Sequence, residues 1–341
     1  MICILGDIHF NSSKSFYRDI CESFLEWYEG WEYNSSSNTL ILAGDLVESA
    51  ANAGIVIDWL TRFLDHSNFK HIHICVGNHD KKIISDVPQL AYEFYKNSSK
   101  VSIHETVADV NIDGARVLFL PYYTGVNELG LTMRDFYMSL PKTTEYSKHY
   151  DFIVGHVGGP DALFEGSGDC IDNLDTFNTD RVCLGHIHTR TADPGKYLGS
   201  IYACKKSEND NTRAAWIYDT ETRDWIEDSL PVFSEFVTIN YPEDIPPSNA
   251  LHPVYTVLSC SSKDLAIKRY GNIHIRKVTS ADYDVASSGT GNSQPSTATR
   301  TLSIEELFRD FAKNQTPPLD KEVLDRCFSL LESSSTDAPL F

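Results

Sequence analysis

The chain has 341 residues, 41% of them apolar, and a formal charge of −19. That length allows one large α/β domain with a sizeable core plus a smaller unit. No stretch approaches the roughly eighteen apolar residues that cross a bilayer, the start carries no basic signal region, and the acidity argues against a surface that grips nucleic acid through basic clusters of its own.

Residues 1–5 read as a short buried strand that stops at Gly6 and then offers Asp7 and His9 two positions apart. In extended backbone such a pair shares one face. An amphipathic run over 15–31, with Phe16, Ile20, Phe24 and Tyr28 at helical spacing, predicts a helix. A strand over 39–43 ends in Gly44-Asp45, a helix is expected over 56–64, and a third strand, 71–76, ends in Gly77-Asn78-His79-Asp80. This β-α-β-α-β order predicts ligands at the carboxyl ends of parallel strands.

Shorter strands with a turn at Asp113-Gly114 are expected in 101–120, and a loop-and-helix insertion in 124–148. Two more strands end in Gly155-His156 and Gly185-His186-Ile187-His188, followed by strands at 197–201 and 214–218. Beyond 226 the spacing predicts a small unit with strands near 233–239, 254–259 and 273–278. Residues 286–299 are Ser/Thr/Gly-rich and read as a linker. Two narrow apolar stripes follow, the first opened by a Ser303-to-Glu306 capping box, the second built on Leu324, Cys327, Phe328 and Leu331. Eight cysteines lack any CxxC pairing, and Cys3, Cys75 and Cys183 lie in apolar runs, as buried reduced thiols do.

Five strand-end motifs therefore stand in order, each after a glycine: Asp7/His9, Asp45, Asn78-His79-Asp80, His156 and His186/His188. Carboxylates, an amide oxygen and neutral imidazoles suit Mn, Fe or Zn better than Mg or Ca. The remaining histidines (66, 71, 73, 104, 149, 252 and 274) are expected to be surface or packing residues.

The series GDIH, GDLV, GNHD, GH and GHIH resembles the calcineurin-like metallophosphoesterases over about residues 1–220. The resemblance implies a four-layer α-β-β-α sandwich holding two divalent metal ions, most often Mn2+, with Mg2+ or Fe2+ as alternatives. It assigns Asp7, His9 and His188 to one ion, Asn78, His156 and His186 to the other, and Asp45 to both. His79 would stand by the leaving group, with Asp80 orienting its imidazole. The two ions together would generate hydroxide for in-line attack on phosphorus.

Gly44 to Ser49 and Asn78-His79-Asp80 lack the Arg and Glu of the phosphoprotein phosphatases. Leu120-Pro121-Tyr122, Tyr197 to Ser200, the small β unit and the terminal helices resemble instead the SbcD-type DNA repair and recombination nucleases, and the run from Glu208 to Thr222, with the chain length, resembles in particular the compact T-even phage form. That resemblance implies a nuclease domain at 1–225, an α+β capping domain that reads DNA at 226–285, a linker at 286–300 and a two-helix segment at 301–335 that docks on an SMC-like coiled-coil ATPase. Such proteins are homodimers through this region, where Trp27, Trp31 and Trp59 look exposed, and core packing explains aromatics of this kind at least as often. The location implied is cytoplasmic (host cytoplasm for a phage protein). After His9 the family usually carries Leu-Gly, where this chain has Phe10-Asn11, so that loop is expected to differ. The alternatives are a stand-alone phosphodiesterase for small nucleotides and a catalytically silent scaffold; seven intact ligands and His79 disfavour the scaffold.

Overall fold

A computed structural model describes residues 1–49, 54–84, 87–125, 127–158, 171, 174–191, 196–209, 212–271 and 273–278. The expected linker (286–300), the expected partner-binding helices (301–335) and the end of the expected capping unit (279–285) lie outside the described residues.

Strand β1 (Ile2–Leu5), helix α1 (Ser15–Gly30), β2 (Thr39–Leu42), α2 (Ile55–Leu64) and β3 (His71–Cys75) follow the expected alternation. A hairpin of β4 (Lys81–Ile84) and β5 (Val87–Leu90) comes next, then β6 (Val101–His104), β7 (Ala108–Ile112) and β8 (Ala115–Leu120). Helix α3 (Met133–Ser139) precedes β9 (Phe152–Gly155), β10 (Val182–Leu184), β11 (Ala214–Tyr218) and β12 (Trp225–Ser229). The last described elements are β13 (Ser234–Asn240), β14 (His252–Leu258), α4 (Lys263–Tyr270) and β15 (His274–Val278).

Two sheets form the frame: six strands in the order β12-β11-β1-β2-β3-β6, and four in the order β10-β9-β8-β7. Strands β1, β2, β3 and β6 run parallel, as do β8, β9 and β10. Both faces of these strands are covered, and alternation decides which side chain goes where. Cys3, Leu5, Leu40, Leu42, Ile72 and Ile74 pack with α1 and α2 in one core. Ile2, Ile4, Ile41, Ala43 and Cys75 meet Val117, Phe119, Phe152, Val154 and Cys183 between the sheets. Leu118, Leu120 and Ile153 turn outward onto Met133, Tyr137 and Leu140 of the α3 region. Helix, sheet, sheet and helix are therefore stacked as four layers.

Helix α1 buries Phe16, Ile20, Cys21, Phe24, Leu25 and Tyr28, the face that its spacing marks out. The tryptophans do not form an outer patch. Trp59 is 2% exposed and Trp31 6%, and Trp27 packs on the same core, so these rings fill the layer between α1, α2 and the sheet. Phe10, in place of the usual Leu, is fully buried among Phe24, Trp59 and Phe63. Asn11 Oδ1 accepts the Ser13 N–H at 2.9 Å, closing the turn that leads into α1.

A third sheet, β13-β14-β15, is parallel, and α4 connects its last two strands. It is fastened to the body through Phe233, Phe236 and Val254, which belong to the α1 core. Helix α4 escapes the sequence reading because only Ala266 of its eight residues is buried. The strand expected at 197–201 does not form. Tyr197 makes a single bridge to Leu184, and beyond it Ser200 N–H goes to His188 O (3.2 Å) and Ile201 N–H to Asp7 O (3.4 Å). This segment spends its hydrogen bonds on the loops at the strand ends rather than on a ladder.

Candidate metal centre

The carboxyl ends of β1, β2 and β3 in one sheet and of β9 and β10 in the other open on the same edge, and all five motifs sit there. Loop-to-loop hydrogen bonds lock them in place. His9 N–H reaches Asp45 O and Phe10 N–H reaches Leu46 O, both at 2.9 Å, while Gly185 N–H reaches Gly155 O at 2.9 Å. His186 N–H donates to Asp7 Oδ1 at 2.9 Å.

Asp7, His9 and His188 offer ligand atoms within 4.8 Å of one another, and so do Asp7, Asp45 and His156. Asn78 Oδ1 lies 2.9 Å from His156 Nε2 and 3.0 Å from His186 Nδ1. Asp45 Oδ2 stands between the two sets, 3.2 Å from His156 Nε2 and 3.6 Å from His9 Nε2. The structure thus brings all seven expected ligands into one cluster, with Asp45 in the middle.

Backbone strain is concentrated here. Seven non-glycine residues among those described have positive φ, and four of them are Asp7, His9, Asp45 and His186. Such conformations cost about 1–3 kcal/mol each and persist only when the surroundings impose them. The glycines permit the crowding. A Cβ on Gly77 would lie 2.2 Å from Asp45 Oδ1, and one on Gly44, whose φ is +93°, would lie 2.2 Å from His156 Nδ1.

The donor set asks for positive charge. Asp7 Oδ2 and His9 Nε2 are buried without a hydrogen-bond partner, a costly state for polar atoms. His156 Nδ1 lies 2.7 Å from the Ala43 carbonyl and donates to it, so its Nε2 faces two oxygen acceptors. Either a proton or a metal cation must occupy that gap. Burial pulls the His156 pKa down, but Asp45, through charge and hydrogen bond, and Asp7 push it up to about 9. Burial likewise lowers that of His9, while Glu48, Asp45 and Asp7 raise it to about 9. Burial works to raise the Asp45 pKa, yet the facing His156 holds it below the usual carboxylate range. Mixed nitrogen and oxygen donors with orphaned lone pairs fit a pair of divalent cations.

Two neighbours escaped the sequence reading. Glu208, 1% exposed, places Oε1 3.2 Å from His188 Nδ1, while its Oε2 accepts the Cys204 N–H at 2.8 Å. Glu48 Oε2 is 3.1 Å from His9 Nδ1. Carboxylates behind ligating imidazoles fix ring orientation and raise donor strength. Twenty residues separate Glu208 from His188 and the glycine punctuation is missing, so no spacing signal marks it.

Asp80 does not orient His79. Its oxygens accept the backbone N–H groups of Asp45 (3.0 Å), Leu46 (2.8 Å) and Gly77 (2.8 Å), tying the second motif loop to the third. His79 Nδ1 instead pairs with the Glu48 carbonyl at 2.7 Å, and its N–H donates to Asp45 Oδ1 at 2.8 Å. The reason is connectivity. Asp80 is fully buried at the loop base, whereas His79 sits higher, its ring centroid 5.1 Å from that of His9.

Because the His9 and His156 pKa values stand at about 9, both rings carry a proton at neutral pH when no cation is bound. A cation must displace those protons. Apparent Mn2+ affinity should therefore climb from pH 6 to 9, by roughly tenfold per unit for each proton released, and flatten above. Calorimetric titrations in two buffers of different ionisation enthalpy give the proton count; a pH-independent affinity would contradict this.

The calcineurin-like phosphoesterase family matches residues 1–190. A purple acid phosphatase of Glycine max is 28% identical over 127 residues, which cover 37% of this chain and 25% of that protein; the chain thus spans about a quarter of that relative's length. The crystal structure of AQ665 from Aquifex aeolicus, a protein of unknown function, is similar with a TM-score of 0.29 at 14% identity, over 52% of this chain and 89% of that one. With 190 of 341 residues matched, the chain belongs to the calcineurin-like phosphoesterases, metal-dependent hydrolases of phosphoesters that use a dinuclear metal site.

Proposed function

We propose that the chain is a Mn2+-dependent nuclease acting on DNA, exonucleolytically on duplex ends and endonucleolytically on single strands, as the catalytic subunit of a complex with an SMC-like ATPase. The observation that supports this reading is a basic seam beside the strand-end cluster, contrary to the expectation from a net charge of −19 that the chain has no basic cluster of its own. Lys14, Arg18, Lys205, Lys206 and Arg276 are all exposed. Lys14 Nζ lies 5.8 Å from the Phe16 ring centre and the Arg276 guanidinium 5.2 Å from that of Phe236, and those two rings are 6.5 Å apart. Lys206 Nζ reaches Thr238 Oγ1 at 2.7 Å. Tyr17 OH, at 3.2 Å from Cys204 O, links the seam to the cluster, since the charges of Arg276, Glu48 and Glu208 all act on it. A polyanion gains from such a row of cations in a way that a single small phosphodiester does not.

In this reading Asp7, His9 and His188 hold one cation, Asn78, His156 and His186 the second, and Asp45 both. Bound there, the cations supply Lewis-acid charge and lower the pKa of water. Asp80 keeps the Asp45 and Gly77 loops at fixed separation, and Glu208 and Glu48 aim His188 and His9. His79, anchored through Nδ1, delivers a proton from Nε2 to the departing oxygen, worth about 10²–10⁴-fold.

Three outcomes test the proposal. His79→Ala should retain both ions yet lose about 10²–10⁴-fold in turnover; loss of metal on elemental analysis would remove its assigned role. Lys14→Glu with Arg276→Glu should lower DNA hydrolysis at least tenfold more than hydrolysis of a chromogenic diester; equal effects on both favour the small-nucleotide phosphodiesterase. Removal of 301–335 should abolish co-elution with the ATPase while diester hydrolysis persists; undiminished co-elution would refute that docking segment.

A further inference from the structure

Away from the strand-end cluster, one more set of ligand-type side chains meets among the described residues, and it joins the third sheet to the body. Asp19 on α1, His252 at the start of β14 and His274 at the start of β15 offer ligand atoms all within 4.8 Å of one another. Both histidines are among those expected to be surface or packing residues, and more than 230 positions separate them from Asp19.

We propose that Asp19, His252 and His274 form a zinc-class cation site that clamps the β13-β14-β15 sheet to α1. Two imidazoles and one carboxylate are a donor set for zinc and its neighbours, with the fourth position left to water. The spacing suits it. His274 Nε2 lies 3.3 Å from Asp19 Oδ2, close to the edge of a tetrahedron with arms of about 2.0–2.1 Å. His252 then needs to close by at most about 1.5 Å, from 4.8 Å to a donor separation of about 3.3 Å, a side-chain adjustment for a half-buried ring.

The supports of the site are built in. Ser23, one turn beyond Asp19 on α1, places Oγ 2.6 Å from His252 Nε2 and so fixes that ring's orientation. The His274 ring packs 6.5 Å from Phe16 and 6.2 Å from His252, centre to centre. Each ligand stands on a regular element, so the geometry does not depend on loop order. A plain Asp19–His274 ion pair, the competing reading, is half-exposed and worth little in water. It gives no reason for His252 to join the other two.

The site is independent of the hydrolytic centre and of its substrate. Crystals of the full chain soaked in zinc chloride, measured on both sides of the zinc edge, should show an anomalous peak about 2.0–2.2 Å from ligand atoms of Asp19, His252 and His274. A peak confined to the Asp7–His188 cluster overturns the proposal. In solution, protein equilibrated with excess zinc and then desalted should retain one more ion per chain than a His252→Ala/His274→Ala variant. Equal zinc content in the two overturns it as well, and the crystallographic measurement on the unaltered chain decides the matter should the variant fail to fold.

Discussion

The architecture turns on an enforced crowding of lone pairs. Asp7, Asp45, Asn78 and four imidazoles are pressed together at the edge shared by two sheets, where Asp45 Oδ2 lies 3.2 Å from one imidazole nitrogen and 3.6 Å from another. Left alone such groups repel, and burial strengthens the repulsion by removing water. The fold holds them through left-handed backbone at four of the ligands, through glycines that let Asp45 and His156 approach backbone at 2.2 Å from where a Cβ would stand, and through Asp80, which accepts N–H groups from two loops at once. Protons on His9 and His156 relieve the crowding in part. Divalent cations relieve it more fully, and phosphoester hydrolysis follows from that exchange.

Much of this was legible in the sequence because the relevant signals are local. Apolar runs that stop at glycine mark where parallel strands end, and a strand end fixes where the next side chains point. The face of α1 followed from Phe16, Ile20, Phe24 and Tyr28, whereas the four layers were what the resemblance of the five motifs to the calcineurin-like metallophosphoesterases implied. What stayed hidden depends on contacts between distant segments. Glu208 becomes a partner of His188 only after β10 and the following loop have folded. Asp80 looks like a partner for His79 because they are adjacent, whereas a fully buried carboxylate is drawn to the orphan N–H groups around it. Trp31 and Trp59 look like an exposed patch on a helical wheel, yet the large rings fill the gap between two helices and a sheet. Helix α4 has too little apolar surface to announce itself.

Charge is distributed with the same logic. A net −19 keeps most of the surface unattractive to phosphate, so an anionic substrate is guided by what remains. The exposed cations gathered between α1, the loop after Tyr202 and the third sheet are few, and the charged ends of two of them, Lys14 and Arg276, lie over the faces of the buried Phe16 and Phe236 rings.

The side chain next to Glu208 has a mechanical meaning. Asn209 clasps the Phe236 backbone on both sides, donating to its carbonyl and accepting from its N–H, each at 2.8 Å. One peptide link away, Glu208 steadies His188. Two neighbouring side chains thus tie strand β13 and that imidazole to one short stretch of backbone, so the outer sheet and an inner ligand share a single anchor.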